Sequence, residues 1–416
     1  MKRVSLLRRA KALLAMTPES KQLYLSKKKI IFVVGARPNF MKVAPVLAEA
    51  RKSGAFDALL VHTGQHYDAN MSDVFFSDLN MPAPDTFLGI GSGTHAEQTA
   101  KVMIEMEKLL TEEKPDLVMV AGDVNSTLAA AIVAAKAQIP LGHIESGLRS
   151  FDRSMPEEIN RIVADEFSTF CFVTEPSGLE NLKNEGIPSE RVFYVGNTMI
   201  DSLVAHRNAA ILRFSEIATK YGIEEKEYAL VTLHRPSNVD DKDNLTLLVD
   251  LFENMAARIG SSGSQPEPHA QAKSLSYQSV RRNHIIFPVH PRTRKKMEEF
   301  GLTERVTSNT SLALIDPVGY LDFLALQDAA TIVLTDSGGV QEETTALGTP
   351  CLTLRENTER PCTISVGTNV MTGLDTDMIL RLAERAFAGE WKSASIPELW
   401  DGKASERIVK ILQEKL

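Results

Sequence analysis

The sequence predicts an α/β protein made of two Rossmann-like domains, each with a mostly parallel sheet. Three observations carry that reading. Short apolar runs rich in β-branched residues alternate with helical patterns at distances that suit βαβ units. The alternation restarts after about residue 200, and polar or charged residues stand where nearly every apolar run stops. At 416 residues the chain is also longer than one hydrophobic core usually serves.

Ile30–Val34 reads as a buried parallel strand ending in the turn Gly35-Ala36-Arg37-Pro38, with a helix over Met41–Arg51. Strands follow at Ala58–Thr63, Leu117–Ala121, Ile139–Ile144, Phe170–Thr174 and Val192–Val195, with helices over Thr94–Leu110 and Ser126–Lys136. In the second half the strands are Tyr228–Thr232, Ile285–Val289, Thr331–Leu334 and Cys351–Leu354, and the helices are Asn244–Ile259, Tyr320–Asp328 and Val340–Leu347. The tail from Asp375 reads mainly as helix, broken near Ser393–Gly402. The expected division is an N-terminal extension over 1–28, domains over 29–200 and 201–370, and a C-terminal helical segment over 371–416. Residues 260–281, polar and lying where about two to six residues usually suffice, read as an insertion.

Composition excludes several classes. A hydrophobic fraction of 43% and a charged fraction of 24% are those of a globular protein. A formal charge of -8 provides no bulk positive field for nucleic acid, although one local basic pocket suffices for a small anion. Cys171, Cys351 and Cys362 make no disulfide framework and match no zinc spacing, so no metal is expected. No apolar stretch reaches the roughly 20 residues that span a bilayer. The basic start lacks the continuous apolar core of a signal peptide, so a cytoplasmic protein is expected.

In open parallel sheets ligands bind beyond the carboxyl ends of the strands. Arg37 and Lys42 flank a glycine turn that leads into a helix, a place that favours an anion. Asp123 and Glu145 each follow a strand. Ser154 and Glu157 match an S-x-x-E capping box with Pro156 in the first turn, so Glu157 has a structural reading beside a catalytic one. Three acids in one half suit proton transfer at a sugar carbon, and a divalent-metal cluster is the competing use. In the second half Asp336-Ser337-Gly338-Gly339 opens a helix: Asp336 or Ser337 reads as a cap, and the glycine amides as a phosphate cradle. Glu343 lies one to two turns into that helix, where a carboxylate suits neutral hydroxyls such as those of a ribose. Arg360 reads as a further phosphate ligand.

Several of these motifs occur together in one known family. Gly35-Ala36-Arg37-Pro38, Thr63-Gly64-Gln65-His66, Gly122-Asp123, His143-Ile144-Glu145-Ser146-Gly147-Leu148-Arg149 and Pro156-Glu157-Glu158-Ile159-Asn160-Arg161 resemble the non-hydrolysing UDP-N-acetylglucosamine 2-epimerases. So do Gly196-Asn197-Thr198, His234-Arg235, Thr335 to Glu343 and Thr358-Glu359-Arg360-Pro361, in the family's order from about Lys29 to Gly373. The resemblance implies a glycosyltransferase-B-like architecture, with two domains facing across a cleft and UDP against the second. It implies interconversion of UDP-N-acetylglucosamine and UDP-N-acetylmannosamine in a homodimer, without a cofactor. The implied route is anti elimination of UDP to a 2-acetamidoglucal, then re-addition with the proton delivered to the opposite face of C2.

By position, the resemblance makes Asp123, Glu145 and Glu157 the acid/base set, and Arg37 and Lys42 cations near the phosphates. It sets His234 near the pyrophosphate or sugar, Phe323 beside uracil, Ser337, Gly338 and Gly339 at the diphosphate, Glu343 at the ribose and Arg360 at a phosphate. Gln65 and His66 match a region associated with an activating substrate molecule. The chain departs from the family at Asn39, Val124-Asn125, the stretch after His234, and Cys362. A hydrolysing epimerase, a glycosyltransferase and a non-enzymatic nucleotide-sugar sensor are the alternatives. Asp123 and Glu145, whose loss would favour the sensor, are both present.

Overall fold

The computed structural model describes residues 27–64, 82–262 and 283–416, without the side chains of 37–38 and 260–262. Residues 1–26 of the expected N-terminal extension, Gln65 and His66 therefore lie outside the described residues, as does the Arg37 side chain. A helix continues through the first residues of the expected insertion to Ser262, and the remainder lies outside the description. Two compact units divide the chain: one runs to Ala205 and takes in Glu398–Leu416, and the other is His206–Pro397.

In the first unit the strands are β1 (Lys28–Val34), β2 (Phe56–His62), β3 (Thr86–Phe87), β4 (Leu117–Ala121), β5 (Leu141–Ser146), β6 (Phe170–Val173) and β7 (Val192–Tyr194). They form one parallel sheet in the order β3-β2-β1-β4-β5-β6-β7. Ile30–Val34 are buried because helices cover both faces of a doubly wound sheet. Ile31, Val33, Val118 and Val120 face one layer, against Val102 and Met106 of helix His95–Glu113 and Ala130 and Ala134 of helix Asn125–Lys136. The alanines let that second helix lie close to the sheet.

The second unit repeats the plan. Its strands are β8 (Ala229–Thr232), β9 (Ile285–Pro288), β10 (Leu312–Ile315), β11 (Ile332–Thr335), β12 (Cys351–Thr353) and β13 (Asn369–Met371). The order is β10-β9-β8-β11-β12-β13, again parallel. Val231, Phe287 and Leu334 pack with Leu248, Phe252 and Met255 of helix Lys242–Ser262 and Ile379 of helix Thr376–Phe387. In both sheets the chain reverses direction of travel beside the first strand, at β1/β4 and at β8/β11, and ligands of doubly wound sheets bind at such switch points.

The tail is shared between the units: helix Thr376–Phe387 belongs to the second and helix Ala404–Lys415 to the first. Asp201 accepts from Ala404 N at 3.0 Å and Ser405 N at 2.7 Å, closing the start of the latter helix. The Trp400 indole donates to Thr174 O at 2.9 Å.

Candidate functional site

In the first unit the charged groups gather where β1, β4 and β5 end. Asn39, in the first turn of helix Arg37–Ser53, accepts from Ala36 N at 3.2 Å and donates to Ala121 O at 2.6 Å, tying the end of β1 to that of β4. One turn on, Lys42 is buried in an ion pair with Glu145. Glu145 lies at a bulge of β5, where the register against β6 slips, and its φ is 74°. The left-handed region costs a non-glycine residue on the order of 1–3 kcal/mol, and such strain collects at functional sites. Bulges re-aim the side chain they carry. Gly122 has φ 62°, and a Cβ there would lie 3.0 Å from Lys42 Nζ and 3.2 Å from Glu145 Oε2, so the pair needs glycine on its flank.

Asp123 pairs with Arg161, which also bonds Glu158 at 2.5 Å. Glu158 in turn accepts from Ser150 N and Oγ, both at 2.9 Å, and from Phe151 N at 3.0 Å. Glu157 is half-buried and takes no part in that chain of bonds. The expected capping box does not form. Helix Pro156–Phe167 starts with Met155 as N-cap, which puts Ser154 one residue too early, and its hydroxyl bonds Asp152 Oδ1 at 2.6 Å instead.

The same helix carries Asp165 into the interior, 2.7 Å from both His143 Nδ1 and Arg149 Nη1 and 3.0 Å from Gly147 N. Burial opposes its charge, but His143 and Arg149 outweigh burial and hold its carboxyl down at about 2. Glu158, Arg161 and Asp165 were not singled out as site residues from sequence. The available signal was their spacing, i, i+3 and i+7, which puts three charged residues on the helix face where apolar ones belong.

In the second unit Asp336 follows β11 fully buried. Asp336 does not cap helix Gly338–Leu347, and Ser337, which stands at the N-cap position, makes no capping bond through its side chain. Asp336 instead fastens the loop after β8, accepting from His234 N at 3.1 Å, Arg235 N at 2.9 Å, Asn238 Nδ2 at 3.2 Å and His234 Nδ1 at 2.9 Å. Burial works against this carboxylate, but the bonds from His234 and Arg235 hold it below the usual range. Ser337, Gly338 and Gly339 are half-buried at the helix start. A Cβ on Gly338 would fall 2.5 Å from Arg360 Nη1, so only glycine lets that guanidinium lie against the helix. Arg360 is oriented by Glu342 at 2.9 Å and Glu359 at 3.3 Å. Glu343 is buried beside Gln327, which donates to it at 2.7 Å. Burial pushes its carboxyl up to about 7 against the opposing bonds of Gln327 and Tyr320. Phe323 is half-buried one turn along from Tyr320. The Cys171 and Cys351 thiols are pushed up to about 12 by burial, so neither is a thiolate nucleophile.

Twin doubly wound domains in a single chain, both with polar groups concentrated at the switch point, make this an α/β enzyme of the glycosyltransferase-B-like class. The family model for UDP-N-acetylglucosamine 2-epimerase matches residues 48–264 and 263–413. The chain belongs to that family. It is 41% identical over 392 residues to UDP-N-acetylglucosamine 2-epimerase of Methanocaldococcus jannaschii, covering 92% of this chain and 98% of the relative. UDP-2,3-diacetamido-2,3-dideoxy-D-glucuronate 2-epimerase of Pseudomonas aeruginosa is 38% identical over 388 residues, covering 92% and 99%. The crystal structure of the M. jannaschii enzyme in complex with UDP-GlcNAc and UDP is similar with a TM-score of 0.81 and 40% identity, over 93% of this chain and 99% of that one.

Proposed function

We propose that the chain interconverts UDP-N-acetylglucosamine and UDP-N-acetylmannosamine without hydrolysis. The observation that carries this is the pairing of Asp123 with Arg161 and of Glu145 with Lys42 at the first switch point. The Lys42 ammonium and the Arg161 guanidinium hold the two carboxylates in place, and positioned carboxylates are what proton transfer at a sugar carbon needs. No carbonyl activates C2–H of the sugar ring, so its removal must accompany departure of UDP from C1. Stabilising the leaving diphosphate therefore matters as much as the base. That work falls to the first amides of helix Gly338–Leu347, which have no intrahelical partner, and to Arg360. Arg37, Lys42 and His234 add positive charge and donors, Glu343 takes the ribose hydroxyls, and Phe323 lies beside uracil.

Asp123, Glu145 and Glu157 form the acid/base set, and delivery of the proton to the other face of C2 on re-addition inverts that carbon. Elimination and re-addition balance without an oxidant, so the scheme uses no redox cofactor. Proton NMR with UDP-N-acetylglucosamine in deuterium oxide tests the proposal. The expected product is the epimer, with deuterium at C2. Free sugar plus UDP would make the chain a hydrolysing enzyme, and no reaction would leave it a binding protein.

A second reading concerns only the sugar. The 38% identity to the P. aeruginosa enzyme favours a trial with the diacetamido uronate as well, since both names describe inversion at C2. A homodimer in solution completes the proposal, and light scattering should return about twice 45.8 kDa. Among the described residues no helix is long and apolar enough to cross a membrane.

A further inference from the structure

His143 is fully buried two residues before Glu145 on β5, and both of its ring nitrogens are engaged. Nδ1 lies 2.7 Å from Asp165 Oδ1 and Nε2 lies 2.8 Å from Gly122 O. A peptide carbonyl can only accept, and an ionised carboxylate can only accept. The Nε2 contact therefore requires N–H, and the Nδ1 contact shares a proton with Asp165. Asp165 also takes Gly147 N and Arg149 and so has a fixed place, from which it orients the ring through Nδ1.

Gly122 leads directly into Asp123. Its N–H donates to Ile144 O at 3.0 Å, its C=O is taken by His143 Nε2–H, and the next carbonyl, Asp123 O, is taken by Asn160 at 2.8 Å. Three polar groups of the turn are thus held, and two of these links, Gly122 N–H to Ile144 O and Gly122 C=O to His143, join it to the strand bearing Glu145. We propose, on the reading of function given above, that the buried His143–Asp165 pair is a positioning element. The Nε2–H of His143 fixes the Gly122 carbonyl and so sets Asp123 relative to Glu145 for proton transfer. Neither residue touches substrate in this account.

The test uses variants that separate the Nε2–H from the bulk of the ring. Gln carries an N–H close to the position of the histidine Nε2, whereas Met has similar size and no donor. H143M should lower kcat by about 10–100-fold, the usual loss when a supporting partner is removed, with UDP affinity and KM little changed. H143Q should recover most of that loss. Equal losses in the two variants, or a loss in H143M carried by KM and UDP affinity, would overturn the positioning role. Nitrogen-15 NMR of the histidine-labelled wild-type chain should show Nε2 of His143 protonated, and a bare Nε2 would overturn the link to Gly122. If wild type turned over neither UDP-sugar, the proposed function would fail while the nitrogen spectrum would still decide the state of His143.

Discussion

The two units share a strand order but use their switch points differently. At β1/β4 the carboxylates are neutralised by side-chain cations, Glu145 by Lys42 and Asp123 by Arg161. At β8/β11 the buried carboxylate, Asp336, is neutralised largely by backbone and side-chain N–H groups of one loop. A guanidinium lies against the helix start beside it. Under the proposed function the first arrangement positions acids for proton transfer, and the second suits a static anion. The sheet decides where a ligand is met; the residues after each strand decide what is done to it.

That contrast can be broken most directly at Asp123. D123N should lower kcat by about 10²–10⁴-fold while UDP affinity by calorimetry stays near native, since the role proposed for this group is on the sugar and not on the nucleotide. Loss of UDP affinity in step with turnover would end the division of labour. G338A should act in the opposite sense. Its methyl displaces the Arg360 guanidinium, so UDP should bind about 10–100-fold more weakly with kcat at saturation close to native.

Glu343 sharpens the comparison through pH. Its carboxyl stands near 7 without UDP, and ribose hydroxyls donate best to the ionised form, so binding should release a proton. UDP affinity should fall about tenfold from pH 8 to pH 6, and E343Q should bind weakly with a flat profile. The linkage to stability runs the other way. A carboxyl raised in the folded state stabilises most below its unfolded value of about 4.3, and that contribution is lost as pH rises through 7. E343Q without UDP should therefore melt no lower than wild type at pH 8. The smallest effect belongs to Ser154. With no capping box to lose, S154A should change stability by less than about 0.5 kcal/mol in thermal unfolding, and a loss near 1 kcal/mol would restore the cap.

Where a strand is long, apolar and bounded by turn residues, the sequence was a sufficient guide: Leu117–Ala121 was read with its bounds as observed. β3, β10 and β13 were missed because each is an edge strand of two to four residues, paired on one side and only partly buried, too short to show a period. The residues ending the strands were legible for the same reason, since a charge after an apolar run stands out. Asp165 and Arg161 were not, because a charged helix face reads as solvated until its partners, His143 and Asp123, arrive from 22 and 38 residues away. The S-x-x-E pattern failed as a cap because Pro156 and Met155 decide where the helix begins, and a pattern match carries no such information.

The return of Glu398–Leu416 to the first unit sets a sequence of assembly during synthesis. His206–Pro397 is one unbroken stretch, and the second unit has all its residues as soon as that stretch leaves the ribosome. The first unit must wait. Until Ala404 and Ser405 arrive, Asp201, whose carboxyl burial raises, lacks the two N–H groups that hold it. Until Trp400 arrives, the place that leaves this indole 2% exposed is unfilled. The part of the chain made first is finished last.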